Sequence, residues 1–160
     1  MRHYDISRLR ILLVEEEHYM RNLYRSVLKA LGIDTIYTEG NLDRGFEVCM
    51  STHPDIVITD WKPTFDGLNL TTRIRNEEGK INLTPVIVIS AYSEFDRIAA
   101  ARDNGANQFL VKPFNAAKLY ERIGATIEDE QQFILDDAYR GPCRRRRTTD
   151  FEGDDRRASV

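Results

Sequence analysis

The sequence predicts an α/β fold in which five parallel strands, each followed by a helix, form one sheet with helices on both faces. Two observations carry this expectation. Short apolar runs rich in β-branched residues alternate five times with longer stretches whose apolar residues recur at spacings of three and four. The runs are also continuous rather than alternating, as expected for strands covered on both sides. At 160 residues, 41% hydrophobic and 31% charged, the chain is long enough for one globular domain plus an extension. The expected division is a domain over residues 1–128 and an extension over residues 129–160.

Ile11-Leu12-Leu13-Val14 is the first strand. Met20, Leu23, Tyr24, Val27, Leu28 and Leu31 then form a helical stripe, which Gly32 ends. Thr35-Ile36-Tyr37-Thr38 is a weaker second strand, and residues 42–52 form a short helix before His53-Pro54. Asp55-Ile56-Val57-Ile58-Thr59-Asp60 is the third strand and stops on an acid. Residues 67–78 read as a helix closed by Gly79. Pro85-Val86-Ile87-Val88-Ile89-Ser90 is the fourth strand, with proline at its tolerated first position. An Ala-rich helix over residues 93–104 is capped by Ser93 and ends at Gly105. Gln108-Phe109-Leu110-Val111 is the fifth strand, and Asn115 caps a helix carrying Leu119, Tyr120, Ile123 and Ile127.

No apolar run approaches the roughly 20 residues that span a bilayer, and Met1-Arg2-His3-Tyr4-Asp5 lacks a signal-peptide pattern, so a cytoplasmic address without membrane contact is expected. Cys49 and Cys143 lie in no CxxC or Cys/His cluster, which argues against a disulfide frame or a zinc site. Cys49 reads as a small core residue. The net charge of −3 conceals two knots, Glu15-Glu16-Glu17 and Arg144-Arg145-Arg146-Arg147.

In an open parallel sheet, ligands bind outside the carboxyl ends of the strands. Glu15 and Glu16, Asp60, Ser90 and Lys112 all stand there. Singly, each has a bland reading as a helix cap, an acidic first turn or an ordinary turn. Together they place three carboxylates, a hydroxyl and an ammonium on one rim. Clustered carboxylates raise one another's pKa unless they share a cation. A hard divalent ion such as Mg2+, with oxygen ligands, meets that need. A carboxylate beside Mg2+ and lysine can then act as a nucleophile toward phosphorus.

Over residues 8–128 the chain resembles the receiver domains of response regulators, in particular those similar to chemotaxis regulators. Arg10-Ile11-Leu12-Leu13-Val14-Glu15-Glu16-Glu17 resembles the family's first strand and acidic pair. Pro54-Asp55-Ile56-Val57-Ile58-Thr59-Asp60, with Trp61-Lys62-Pro63 and Asp66-Gly67-Leu68, resembles the phospho-acceptor strand and loop. Pro85-Val86-Ile87-Val88-Ile89-Ser90-Ala91 resembles the strand with the switch hydroxyl. Gly105-Ala106-Asn107-Gln108-Phe109-Leu110-Val111-Lys112-Pro113-Phe114 resembles the stretch with the switch aromatic and the lysine. The resemblance implies a flavodoxin-like (βα)5 fold with strand order 2-1-3-4-5. It implies that Asp60 accepts a phosphoryl group from a histidine kinase or histidine phosphotransferase. Glu16, Asp60 and the Lys62 backbone carbonyl would bind Mg2+, with Glu15 nearby through water. Lys112 would contact the phosphoryl oxygens, Ser90 would swing in, and Phe109 would turn inward behind it. The other reading of Phe109 is a plain core aromatic. The face made by the fourth helix, fifth strand and fifth helix would then bind a target protein. Such a protein catalyses only its own phosphorylation and dephosphorylation and is not an enzyme in the ordinary sense.

Glu15-Glu16 departs from the family's usual Asp-Asp or Glu-Asp pair. The alternative function is therefore a phosphorylation-independent scaffold. Residues 128–137 are expected to continue the last helix or add a short one, with no effector domain following. An Arg-rich, disordered tail is expected after Gly141-Pro142. Arg144 to Arg147 read as a solvated run, or as a docking site for an acidic or phosphate-bearing ligand. Nucleic-acid binding is the weakest reading, because the tail's own acids dilute the field.

Overall fold

The computed structural model describes residues 3–129, 133–135 and 139–142. It contains β1 (Arg10–Val14), α1 (His18–Ala30), β2 (Thr35–Glu39), α2 (Leu42–Thr52), β3 (Ile56–Asp60) and α3 (Gly67–Arg75). A 3-10 turn (Gly79–Leu83) then leads to β4 (Val86–Ser90), α4 (Phe95–Asp103), β5 (Gln108–Val111) and α5 (Ala116–Glu128). The five strands are parallel in the order β2-β1-β3-β4-β5, as expected.

Strand periodicity sorts the core into two layers. Leu12, Val14, Val57, Val86 and Val88 face α2, α3 and α4, meeting Cys49, Leu70, Ile74 and Ala101. Ile11, Leu13, Ile56, Ile58, Ile87, Ile89 and Leu110 face α1 and α5, meeting Tyr24, Leu28, Leu119 and Ile123. Cys49 is a buried free thiol, as its neighbourhood in the sequence suggested, and burial pushes its pKa up to about 11. The Asn115 side chain caps α5, accepting from the Lys118 amide at 2.9 Å. Among the described residues no helix is long and apolar enough to cross a membrane.

Three expectations need correction. The helix expected over residues 67–78 ends at Arg75, and the chain folds into the 3-10 turn after Gly79, whose φ is +78°. The cause is the Arg75 side chain, which is 1% exposed. Its guanidinium donates to the carbonyls of Asn82 (2.9 Å), Thr84 (2.6 Å) and Gly105 (3.0 Å), and to Asn107 Oδ1 (2.9 Å). The loop wraps around a buried cation rather than extending the helix. The fourth helix begins at Phe95, not Ser93, and its N-cap position Glu94 makes no side-chain cap bond. Just before it the chain is still turning off β4, with the Tyr92 amide donating to Ser90 Oγ at 3.2 Å.

The third correction concerns the extension. Phe133–Leu135, within the stretch expected to continue the last helix or to add a short one, are strand instead: α5 stops at Glu128, and β6 (Phe133–Leu135) pairs antiparallel with β7 (Arg140–Pro142). The hairpin is pinned by Tyr139, whose hydroxyl lies 2.8 Å from the Pro142 carbonyl and 3.2 Å from that of Arg102 on α4. Gly105 (φ +94°) makes the close approach possible, since a Cβ there would stand 2.7 Å from the Arg140 carbonyl. Cys143, Arg144, Arg147 and the rest of the expected tail lie outside the described residues.

Candidate functional site

Parallel register brings the strand ends to one rim. Val14 pairs with Thr59, Asp60 with Ile89, and Ser90 with Val111. The backbone ladder runs one residue further: the Glu15 amide donates to Glu39 O (3.0 Å), Trp61 to Ile89 O (2.9 Å) and Lys112 to Ser90 O (2.8 Å). Glu15, Asp60, Ser90 and Lys112 therefore meet at the carboxyl edge of the sheet. Gly67 keeps the roof close, since a Cβ at this first residue of α3 would overlap the Asp60 carbonyl oxygen. The Asp66 side chain caps α3 by accepting from the Asn69 amide at 3.2 Å.

The inner part of the site is a buried ion triad. Lys112 Nζ lies 2.7 Å from Asp60 Oδ1 and 3.6 Å from Glu15 Oε2. Glu15 and Asp60 are 1% and 3% exposed. Lys112 also stands 5.7 Å from the centre of the Tyr24 ring, which stacks on Phe114. Burial tends to lower the Lys112 pKa, but the hydrogen bond and charge of Asp60, with smaller help from Tyr24 and Glu15, outweigh it and leave the pKa raised. Ser90 Oγ, fully buried, donates to the Trp61 carbonyl at 2.8 Å.

Burial pushes the Glu15 carboxyl above its usual range. The Glu17 amide donates to Glu15 Oε1 at 2.9 Å and pulls it back, Asp60 adds to the rise, and Lys112 and Lys62 oppose it. A carboxyl whose folded pKa is raised contributes stability that is full below its unfolded pKa and is lost as pH rises through the folded value. In buffer free of divalent ions, Glu15→Gln is expected to raise the urea midpoint at pH 7.5. It should also flatten the stability profile above the ordinary glutamate range. Urea melts of both proteins across that range check this.

The outer part of the site is one that sequence reasoning assigned differently. Glu16 turns outward to Lys62, whose Nζ is 3.1 Å from Glu16 Oε2 and 3.0 Å from Glu17 Oε1. The Lys62 backbone is tied to Phe65 by a reciprocal pair of bonds, its amide donating at 3.0 Å and its carbonyl accepting at 2.9 Å. The resemblance points to the Lys62 carbonyl and not to its side chain. The available signal was charge balance, since three glutamates and Asp60 need more than Lys112. Arg97 was also missed. Its guanidinium lies 4.7 Å from the ring centres of both Trp61 and Tyr92, at the mouth of the site. Phe109 is away from the charged cluster. Half-buried, it packs against the α2–α4 layer and lines a groove of about 790 Å3 between α4, β5 and α5. Ile98, Arg102, Lys118, Arg122 and Pro142 share that groove.

The donors suit a hard divalent cation in kind. Glu15 Oε2 and Asp60 Oδ2 are buried without a hydrogen-bond partner, and every neighbouring ligand is oxygen. Among the described residues no three His, Cys, Asp or Glu side chains already stand at ligating spacing, since Glu16 is held apart by Lys62. Chemically, the cluster offers a buried carboxylate with one oxygen steadied by an ammonium and the other free.

Comparison with known proteins agrees with this geometry. Residues 11–124 match the family model described as the response regulator receiver domain. The chemotaxis protein CheY-3 of Vibrio cholerae is 30% identical over 121 residues, covering 75% of this chain and 92% of that protein. The transcriptional regulatory protein PdtaR of Mycobacterium tuberculosis is 31% identical over 119 residues, covering 74% of this chain and 56% of that one. The solved structure of the Vibrio cholerae chemotaxis protein CheY4 superimposes with a TM-score of 0.67 at 19% identity, covering 74% of this chain and 98% of that one, a likeness of fold. The rim chemistry, the strand order and these matches converge: the chain belongs to the response regulator receiver domain family of two-component signalling.

Proposed function

We propose that this receiver domain accepts a phosphoryl group on Asp60 and, in that state, changes what binds the α4–β5–α5 face. The observation that carries the reading is the pairing of Lys112 Nζ with Asp60 Oδ1 at 2.7 Å while Asp60 Oδ2 is buried without a hydrogen-bond partner. One carboxylate oxygen is steadied and its twin is available as a nucleophile. The donor is a phosphohistidine on a histidine kinase or phosphotransferase. An Asp60 oxygen forms a bond to phosphorus as the P–N bond breaks. The imidazole nitrogen departs with the electron pair and takes up a proton. Lys112 stays on the phosphoryl oxygens and neutralises the charge that develops there. Ser90 Oγ leaves the Trp61 carbonyl and donates to a phosphoryl oxygen. Phe109 follows it, altering the groove it lines, so a local charge event biases a two-state surface. Mg2+, held by Asp60, Glu16 and the Lys62 carbonyl with Glu15 beside it, would supply further positive charge at the same oxygens. The protein catalyses its own modification and no turnover of a separate substrate.

Incubation with Mg2+ and acetyl phosphate, read by intact mass, tests this. A gain of one phosphoryl group is expected, absent from Asp60→Asn. A specific observation favours a second reading, a scaffold that works unmodified: each lysine at the rim is already paired with carboxylates of the same rim. No mass gain with acetyl phosphate or with a phosphorylated kinase would select that reading.

A further inference from the structure

The rim divides its charges into two sets. Lys112 serves the buried Asp60 and Glu15, while Lys62 serves the more exposed Glu16 and Glu17. Glutamate is one methylene longer than aspartate, and in Glu16 that length carries the carboxylate out to Lys62. Lys62 is not a loose surface lysine. Its side chain is 23% exposed, against 47% and 62% for its two partners. Its backbone is fixed by the reciprocal bonds to Phe65, so the side chain springs from a constrained point. Desolvation tends to lower its pKa, but the hydrogen bonds to Glu17 and Glu16 outweigh that and leave the ammonium firmly charged.

We propose that the Lys62 side chain is a tethered competitor of the divalent cation, occupying the Glu16 carboxylate until the cation displaces it onto Glu17. This deepens the proposed function and rests on its assignment of a cation to Glu16 and Asp60. Glu17 acquires a role in it. Because Lys62 Nζ already reaches Glu17 Oε1 at 3.0 Å, release of Glu16 leaves the ammonium paired rather than stranded. The triple glutamate then has a division of labour: Glu15 inward, Glu16 contested, Glu17 as the resting place of the displaced ammonium. Lys62 is here a positioning residue. It sets the cation concentration at which the site is loaded and touches no phosphoryl group.

Mg2+ binding without any phosphodonor tests this, by calorimetry and by Trp61 fluorescence. Lys62→Met, which keeps much of the aliphatic stem and removes the charge, is expected to tighten Mg2+ binding about twofold to fivefold, the range for freeing a partly exposed ion pair. The same substitution in a Glu16→Gln background separates contact from general charge. Competition for Glu16 predicts that Lys62→Met no longer tightens binding there. A long-range field predicts the same gain in both backgrounds, and that result overturns the proposal. Equal Mg2+ affinity of the unaltered protein and Lys62→Met also overturns it and leaves the Asp60 reading standing, which the mass measurement decides separately. Absence of binding to either protein overturns both the competitor role and the cation assignment beneath it.

Discussion

Replacing Arg75 with methionine is expected to lower the free energy of unfolding by about 3–5 kcal/mol, the range for leaving several buried polar groups without their partner. Arg75 is 1% exposed and donates to three carbonyls and one amide oxygen, with distances between 2.6 and 3.0 Å. Burial lowers its pKa to about 10, so it remains charged at neutral pH. Methionine fills much of the volume but supplies no donor. The carbonyls of Asn82, Thr84 and Gly105 would then be left without the donor that now serves them. Arg75→Lys restores charge but not the planar fork, and is expected to recover only part of the loss. A urea midpoint lowered by roughly 1–3 M would accompany a loss of this size in a domain with an ordinary denaturant slope. A change within a few tenths of a kcal/mol would mean that the loop finds other donors. The position matters for function as well as stability. Arg75 ties the end of α3 to the loops that enter β4 and β5, the strands that deliver Ser90 and Lys112 to the rim.

Arg75 also marks where sequence reasoning stops. The five strands and four of the rim residues were legible, because burial on both faces writes a continuous apolar run and the strand-end rule says where to look; the strand order came only from the family resemblance. Helix ends were less legible. Arg75 falls within the polar-rich stretch 67–78, and arginine is ordinarily read as solvent-facing. Nothing local shows that its partners are carbonyls seven to thirty residues away. The hairpin at the extension was missed for a related reason. Phe133-Ile134-Leu135 is too short a run to separate strand from helix by periodicity. The deciding contacts come from Tyr139 to Arg102 and from the close approach of Gly141 to Gly105. Within the site, identity was legible but direction was not. The sequence places Glu15 and Glu16 side by side, and only the register of β1 against β3 turns Glu15 inward and leaves Glu16 to Lys62.

Lys112→Met is expected to slow phosphoryl uptake from acetyl phosphate by about 10²–10³-fold, the loss typical of removing one pre-placed charge from a transferring group. Asp60→Asn removes the nucleophile, whereas Lys112→Met leaves it in place. A slowed but measurable uptake therefore separates charge stabilisation from attack. The same variant carries a pH signature. Lys112 is one of the groups that hold the Glu15 pKa down against burial, so without it the Glu15 pKa rises further. Raising a folded carboxyl pKa removes stability as pH climbs through that value and leaves stability intact below the unfolded pKa. The variant should thus be destabilised in urea melts at pH 7.5 and approach the unaltered protein near pH 4.5. Retained uptake at the original rate would show that Lys112 is a structural counter-ion of Glu15 and Asp60 and not part of the transfer chemistry. A stability loss that does not shrink on acidification would place the effect instead in the lost packing of the lysine stem beside Tyr24.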